Sequence, residues 1–194
     1  IGEDPGTGKM IRNIPTEAFH SVTQTEAALG MQQEALTFAK TDDGTHFKVT
    51  FGQLGSFLYE MPDPADLRDA PDPYALLKDQ IPPEIKELDS KPVLLLGFMV
   101  PVEFDDQGKL IAFAITQNQA FCCYGVTPAM NDWVMVTLPE GQSTEYRQQE
   151  PIAVYGTFAV GEELDDGYVL SLYRLAATEG LSMQQLLRRL PAAS

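Results

Sequence analysis

The two cysteines of this chain are neighbours, Cys122 and Cys123, in the stretch FCCYGVTPAMNDW. A thiol pair could bind a metal ion, form a redox-responsive disulfide, or pack as two small hydrophobic side chains. Zinc sites need about four ligands, usually in spaced pairs such as Cys-x-x-Cys, and adjacent side chains of a strand point to opposite faces. The two histidines, His20 and His46, are far away in the sequence. We therefore predict no metal site and no cofactor.

A disulfide between the adjacent cysteines is the main alternative to two free thiols. It would close a small ring through a distorted peptide bond, a costly geometry, although Gly125 nearby would ease the turn. Buried cysteine commonly behaves as a small hydrophobic residue. We favour two reduced, mostly buried thiols, and keep a redox- or metal-responsive role for Cys122 and Cys123 as the alternative function.

Acid–base and nucleophilic chemistry find little support in the sequence. The acidic pairs at 42–43, 105–106, 162–163 and 165–166 fall in predicted turns, where turn geometry alone explains Asp and Gly. Neither histidine lies in a nucleophile motif such as Gly-x-Ser-x-Gly. The sequence names no catalytic residue, and we predict that the protein is not an enzyme.

The balance of acidic and basic side chains limits the kinds of molecule that the protein is expected to bind. The chain of 194 residues has 13 basic and 28 acidic side chains and a net charge of −15. No region clusters the Lys and Arg side chains that neutralise phosphates, so nucleic acid is excluded as a predicted partner. This acidic protein is expected to have a soluble, self-repelling surface.

The longest apolar run is PVLLLGFMVPV, residues 92–102. It is shorter than the ~18–20 residues that span a bilayer and is broken by Gly97 and Pro101. It is therefore predicted to be a buried strand. Because the chain begins with Ile1 and not Met, we expect that a signal segment preceded it and was removed.

Five strands are predicted in the second half of the chain, and two of them carry a central glycine, Gly97 and Gly156. The strands are expected at 92–104, 110–117, 132–138, 151–161 and 168–177, with turns at 105–109 and 162–167. This count and spacing predict a mainly β fold, a five-stranded OB-like Greek-key barrel. An OB-fold usually has a helix between its third and fourth strands, but residues 139–150 are too short and too polar for more than one turn.

Four regions follow from this pattern: a flexible leader (1–24), an N-terminal α/β extension packed on the barrel (25–91), the OB-like barrel (92–180) and a short C-terminal helix (181–194). Within the extension we expect a helix at 25–40, a strand at 46–51 that could pair with 36–40, and a short helix at 82–91. Ser182 and Gln185 form a capping-box pattern at the start of the last helix.

Three stretches resemble a bacterial family known as domain of unknown function 3299: LDSKPVLLLGFMVPVEF, FCCYGVTPAMNDWVMV and PIAVYGTFAVGEELDDGYVLSLYRLAA. The shared features are a Gly-aromatic-Met-hydrophobic-Pro first strand, here Gly97 to Pro101, and a cysteine followed by a proline turn that ends in Asn, here Cys123 to Asn131. The resemblance covers about Ile81–Glu179.

The resemblance implies an exported protein, periplasmic or associated with the outer envelope, with a lipoprotein anchor at the N-terminus in many members and transporter components nearby in some. A histidine often follows the family cysteine, whereas this chain has Tyr124. The family offers no catalytic residue to transfer.

The predicted function is a non-enzymatic binding or accessory module of the cell envelope, and the resemblance implies an association with a transport system. Its partner would be a protein or a small molecule, and membrane contact would be limited to an N-terminal lipid anchor. Loops on a rigid scaffold often carry function, so the expected contact region is the turn after the cysteines. The residues predicted for ligand or partner contact are Cys122, Cys123, Tyr124, Pro128, Asn131 and Trp133.

Two free thiols at Cys122 and Cys123 are expected from the sequence. Alkylation of the folded protein and then of the denatured protein, both without reductant, should modify both cysteines, as measured by intact mass. A mass that shows no modification after denaturation would contradict this prediction and would support the disulfide.

Overall fold

The computed structural model describes residues 36–118, 128–148 and 150–182. Its strands are β1 (Phe47–Val49), β2 (Pro92–Phe104), β3 (Leu110–Thr116), β4 (Trp133–Thr137), β5 (Ile152–Asp165) and β6 (Tyr168–Ser182). Its helices are α1 (Phe51–Leu54), α2 (Pro64–Asp69), α3 (Pro83–Lys86) and a 3₁₀ helix (Pro73–Leu76). None of these helices is long and apolar enough to cross a bilayer.

The six strands form one mixed sheet in the order β1-β2-β3-β4-β6-β5, and β2 also pairs with β5. Strands β3 to β6 therefore have two neighbours each, β2 has three (β1, β3 and β5), and the series of pairings from β2 returns to β2. The β1–β2 and β4–β6 pairs are parallel, and the other pairs are antiparallel. The prediction of a mainly β fold is confirmed, and the strand at 92–104 has the predicted bounds.

Two glycines allow the closest approaches between strands. A Cβ atom on Gly97 would lie 2.5 Å from the carbonyl oxygen of Thr116 and 2.7 Å from Cγ1 of Ile115. A Cβ atom on Gly156 would lie 2.3 Å from the carbonyl oxygen of Ala176. Real Cβ atoms do not approach backbone this closely, so β2 and β5 can contact their neighbours here only because both positions lack a side chain.

One face of these strands forms the hydrophobic core, and we call it the core face. Alternate residues supply it, as expected for strands; in β4, for example, Val134 and Val136 are buried whereas Thr137 is exposed. Its apolar members in β2 to β6 include Val93, Leu95, Met99, Phe113, Ile115, Val134, Val136, Ile152, Val154, Phe158, Tyr173, Leu175 and Ala177. Phe51, Leu54, Leu67 and Ile85 of the helices belong to the same core.

Helix α1 begins where a strand was predicted to continue. The Thr50 hydroxyl accepts a hydrogen bond from the Gln53 backbone N–H (3.2 Å), and the Gln53 side chain accepts one from the Thr50 backbone N–H (3.0 Å). This capping box ends β1 at Val49. The Tyr173 hydroxyl then donates to the carbonyl oxygen of Leu54 (3.0 Å), which attaches α1 to β6.

The segment before β1 also differs from the prediction. Residues 36–40 are not helical, and Lys40 instead forms an antiparallel bridge with Phe47. The predicted helix at 25–40 is therefore wrong for its last residues, and 25–35 lies outside the described residues together with the leader at 1–24. The predicted pairing of this segment with the strand is confirmed at that bridge. The predicted helix at 82–91 is confirmed as the shorter α3.

Strands β5 and β6 are longer than predicted. The turn expected at 162–167 is only Asp166–Gly167, because β5 continues past a bulge at Gly161 to Asp165. The Arg174 side chain supports the bulge by donating to the carbonyl oxygen of Gly161 (2.9 Å). Strand β6 ends at Ser182, so the predicted C-terminal helix is wrong for 181–182. Residues 183–194 lie outside the described residues.

Gly156→Ala should destabilise the fold by about 1–3 kcal/mol, because the new methyl group would overlap backbone atoms of β6. Gly180→Ala is the matched control, since a Cβ atom there meets nothing within 4 Å. It should leave stability unchanged or raise it by about 0.4–1 kcal/mol. Urea unfolding measures both. Equal stability of the two variants would contradict the close approach at Gly156.

Candidate functional site

The predicted contact residues lie where β3 leads to β4. Cys122, Cys123 and Tyr124 are outside the described residues, so the geometry of the thiols is not described. Pro128 is half-buried. Trp133 opens β4 opposite Thr116 of β3 and is also half-buried. Their role in contacting a partner stays a prediction.

Asn131 is tied into the fold. Its side chain is only 4% exposed, and its Nδ2 donates a hydrogen bond to the carbonyl oxygen of Phe57 (2.6 Å). The turn around it is closed by Asp132, which accepts from the backbone N–H of Ala129 at its carboxylate (2.9 Å) and donates its own N–H to the Ala129 carbonyl (3.0 Å). Asn131 therefore anchors the turn to the segment after α1.

A pocket lies at the opposite end of the strands, beneath the connection between β4 and β5. It has a volume of about 190 Å³. Its apolar lining consists of Met99, Phe113, Leu138, Ile152, Val154 and Ala177, with Gly180 at the side, and its polar lining consists of Gln142, Ser143, Thr144 and Arg147. We call it the core pocket, because most of its apolar residues belong to the core face.

The floor of the core pocket is rigid and apolar. Met99 and Phe113 are 3% and 2% exposed, and Ile152, Val154 and Ala177 are buried as well. These residues come from β2, β3, β5 and β6, so four strands build the floor. Such packed strand positions hold a pocket's shape better than loops do.

The polar rim is fixed to the strands by hydrogen bonds. Thr144 and Leu110 exchange two backbone hydrogen bonds, each 2.8 Å long. The Asp105 carboxylate accepts from the backbone N–H groups of Lys109 and Gln107 (both 2.9 Å) and from the Ser143 side chain. The hydrogen bond from the Lys109 backbone has the largest effect in lowering the pKa of Asp105, and the bonds from Gln107 and Ser143 lower it further. The rim is therefore attached to the start of β3 at Leu110 and to the β2–β3 turn at Asp105.

The one cation of the pocket lining is already paired. Arg147 Nη1 lies 3.3 Å from Glu150 Oε2, and each side chain is 41% exposed. Exposed pairs of this kind contribute about 0–1 kcal/mol. Glu150 therefore balances the charge of Arg147 at the pocket entrance, but the pair does not hold the Arg147 side chain rigidly.

A wider, open groove of about 570 Å³ lies on the N-terminal part of the chain. It runs between the segment before β1 and α3, and its lining includes Phe38, Phe47, Leu88 and the charged residues Glu84 and Lys91. It does not reach the strands beyond β1. Within the part of the chain that the structure describes, no three His, Cys, Asp or Glu side chains are grouped to hold a metal ion.

The fold and the core pocket define a mainly β protein with a small pocket whose floor is apolar and whose rim is polar. The chain belongs to the family described as "Protein of unknown function (DUF3299)", whose model matches residues 71–180. The predicted family membership is therefore confirmed, over a slightly longer range than expected.

A solved structure shows the same fold. The crystal structure of a DUF3299 family protein from Pseudomonas aeruginosa PAO1 superposes with a TM-score of 0.50 at 21% sequence identity. The match covers 72% of this chain and 97% of that chain. No curated protein matches this chain.

Asn131→Ala should lower the free energy of unfolding by about 1–3 kcal/mol, because it leaves the Phe57 carbonyl without its donor. Gln107→Ala, in the exposed β2–β3 turn, is the control and should change stability by less than about 0.5 kcal/mol. Urea unfolding measures both. A loss in the control as large as that in Asn131→Ala would contradict the anchoring role.

Proposed function

We propose that this protein is a non-enzymatic binding module with an OB-like barrel, and that it takes a small ligand into the core pocket. The observation that carries the proposal is a pocket of about 190 Å³ in which a buried apolar floor is bordered by polar side chains. Pockets that combine an apolar floor with a few convergent polar groups are the usual form of small-molecule sites.

The strand pairings support the OB-like barrel. Strands β2 to β6 pair in the cyclic order β2-β3-β4-β6-β5, and the only parallel pair among them is β4–β6. A cyclic order removes the exposed sheet edges that would favour aggregation. This order and the single parallel pair are those expected of a five-stranded Greek-key barrel, and they support the proposed OB-like fold.

The two ends of this proposed barrel are covered differently. Helix α1 covers one end with the buried residues Phe51 and Leu54, and Tyr173 holds it there. At the other end an OB-fold usually has a helix between its third and fourth strands. The described residues between β4 and β5 form turns and one bridge to Leu110, without a helix. The core pocket lies at the place that such a helix would cover.

The cellular part of the proposal rests on the family resemblance. We propose that the module works in the cell envelope, either periplasmic or attached through an N-terminal lipid anchor, and that it serves a transport system. Cell fractionation of the full-length gene product tests this part, and recovery from the cytosol would contradict it. The alternative, a redox- or metal-responsive role of Cys122 and Cys123, depends on the outcome of the alkylation experiment.

Benzene is a suitable probe of the core pocket, because an apolar protein cavity of about 150 Å³ is known to bind it. Benzene should shift the backbone amide signals of Met99, Phe113 and Ala177 in two-dimensional NMR spectra, since these residues line the pocket. Gly180→Phe should abolish the shifts. Gly180 lines the pocket and a Cβ atom there meets nothing within 4 Å, so the phenyl ring has room to occupy the space that benzene would take.

The matched control is Ala176→Phe, which places the same ring on the exposed face of the same strand. This variant should retain the benzene shifts. Unfolding curves of both variants establish that they are folded. The binding proposal fails if benzene leaves the spectrum of the natural chain unchanged, or if Gly180→Phe retains the shifts.

A further inference from the structure

We infer that the natural ligand of the core pocket is an uncharged amphipathic molecule whose apolar part is about the size of one aromatic ring and whose polar part is a hydroxyl or amide group. This inference rests on the proposed binding function and specifies its ligand class. Three features of the pocket carry it: its volume, the side chains of its floor and the charge of its rim.

The volume limits the apolar part of the ligand. Pockets for drug-sized molecules enclose about 300–1,000 Å³, whereas the core pocket encloses about 190 Å³. This is slightly more than the cavity of about 150 Å³ that accepts benzene. The core pocket therefore has room for a ring-sized apolar group and is too small to enclose a drug-sized molecule.

The floor favours a ring over a short alkyl chain. Met99 and Phe113 are both buried in the floor of the pocket. The methionine sulfur interacts favourably with aromatic rings, and a phenylalanine ring prefers a second ring in an edge-to-face or offset arrangement. An aromatic ligand gains both contacts in addition to the burial of its apolar surface.

The rim favours a neutral polar group. Gln142, Ser143 and Thr144 bring an amide and two hydroxyl groups to the rim. The charge of Arg147 is balanced by Glu150 at 3.3 Å, so an anionic ligand would have to displace that carboxylate. The net charge of −15 further opposes anions. A cationic group would lose hydration near the apolar floor without a carboxylate among the lining residues.

Three probes with one benzene ring and a neutral, a cationic or an anionic polar group test this inference: benzyl alcohol, benzylammonium and benzoate. Their affinities are measured at neutral pH and fixed ionic strength from the NMR shifts of Met99, Phe113 and Ala177. Benzyl alcohol should bind at least about tenfold more tightly than either charged probe. A tenfold difference in affinity corresponds to about 1.4 kcal/mol, which is attributed to the cost of desolvating the charge.

Glu150→Gln provides a second, independent measurement. It releases Arg147 from its carboxylate partner, so the ratio of benzoate affinity to benzyl alcohol affinity should rise about threefold or more. Glu140→Gln is the matched control, in the exposed part of the same connection and outside the pocket lining. It should leave this ratio unchanged.

The outcomes separate the ligand class from the binding function. Equal or tighter binding of benzoate or benzylammonium by the natural chain overturns the inferred ligand class and leaves the pocket as a binding site. An unchanged affinity ratio in Glu150→Gln overturns the inference that Glu150 keeps anionic ligands from pairing with Arg147. If benzene and all three probes fail to bind, the proposed function itself is wrong.

Discussion

The structure depends on the ability of one strand, β2, to pair along both of its edges. Its first half pairs with β1 on one edge and with β5 on the other, and its second half pairs with β3. The change of partner occurs at Gly97, where a side chain would overlap Thr116 and Ile115. The cyclic order of strands, and with it the single core face, follows from this one arrangement.

The hydrophobic core on the strands must still be covered where the strands end. At one end, α1 provides two buried side chains, and the capping box at Thr50 and the hydroxyl of Tyr173 hold the helix in place. At the other end, a polar connection attached by Thr144 leaves space above Met99 and Phe113. The two ends therefore differ: α1 is anchored over one, and the core pocket lies at the other.

The contact region predicted from the sequence and the core pocket lie at opposite ends of the strands. The turn after the cysteines was predicted as the contact region from its composition and its place on the scaffold, yet the amide of Asn131 is used to hold Phe57. The pocket was missed because its residues are spread over four strands and a connection, from Met99 to Gly180. One observation in the sequence did concern this region: residues 139–150, which contain the polar lining of the pocket, are too short and too polar for more than one helical turn.

The amino-acid sequence alone determined the mainly β fold, the family and the positions of most strands, because alternation of apolar residues, turn residues and central glycines act locally. It did not determine where β1 ends, how far β5 and β6 extend, or how closely Gly97 and Gly156 let neighbouring strands approach. Those features depend on contacts between distant residues, such as Arg174 with Gly161 and Tyr173 with Leu54. The core pocket was likewise decided only by tertiary structure, since a cavity exists only once separate strands have been brought together around it.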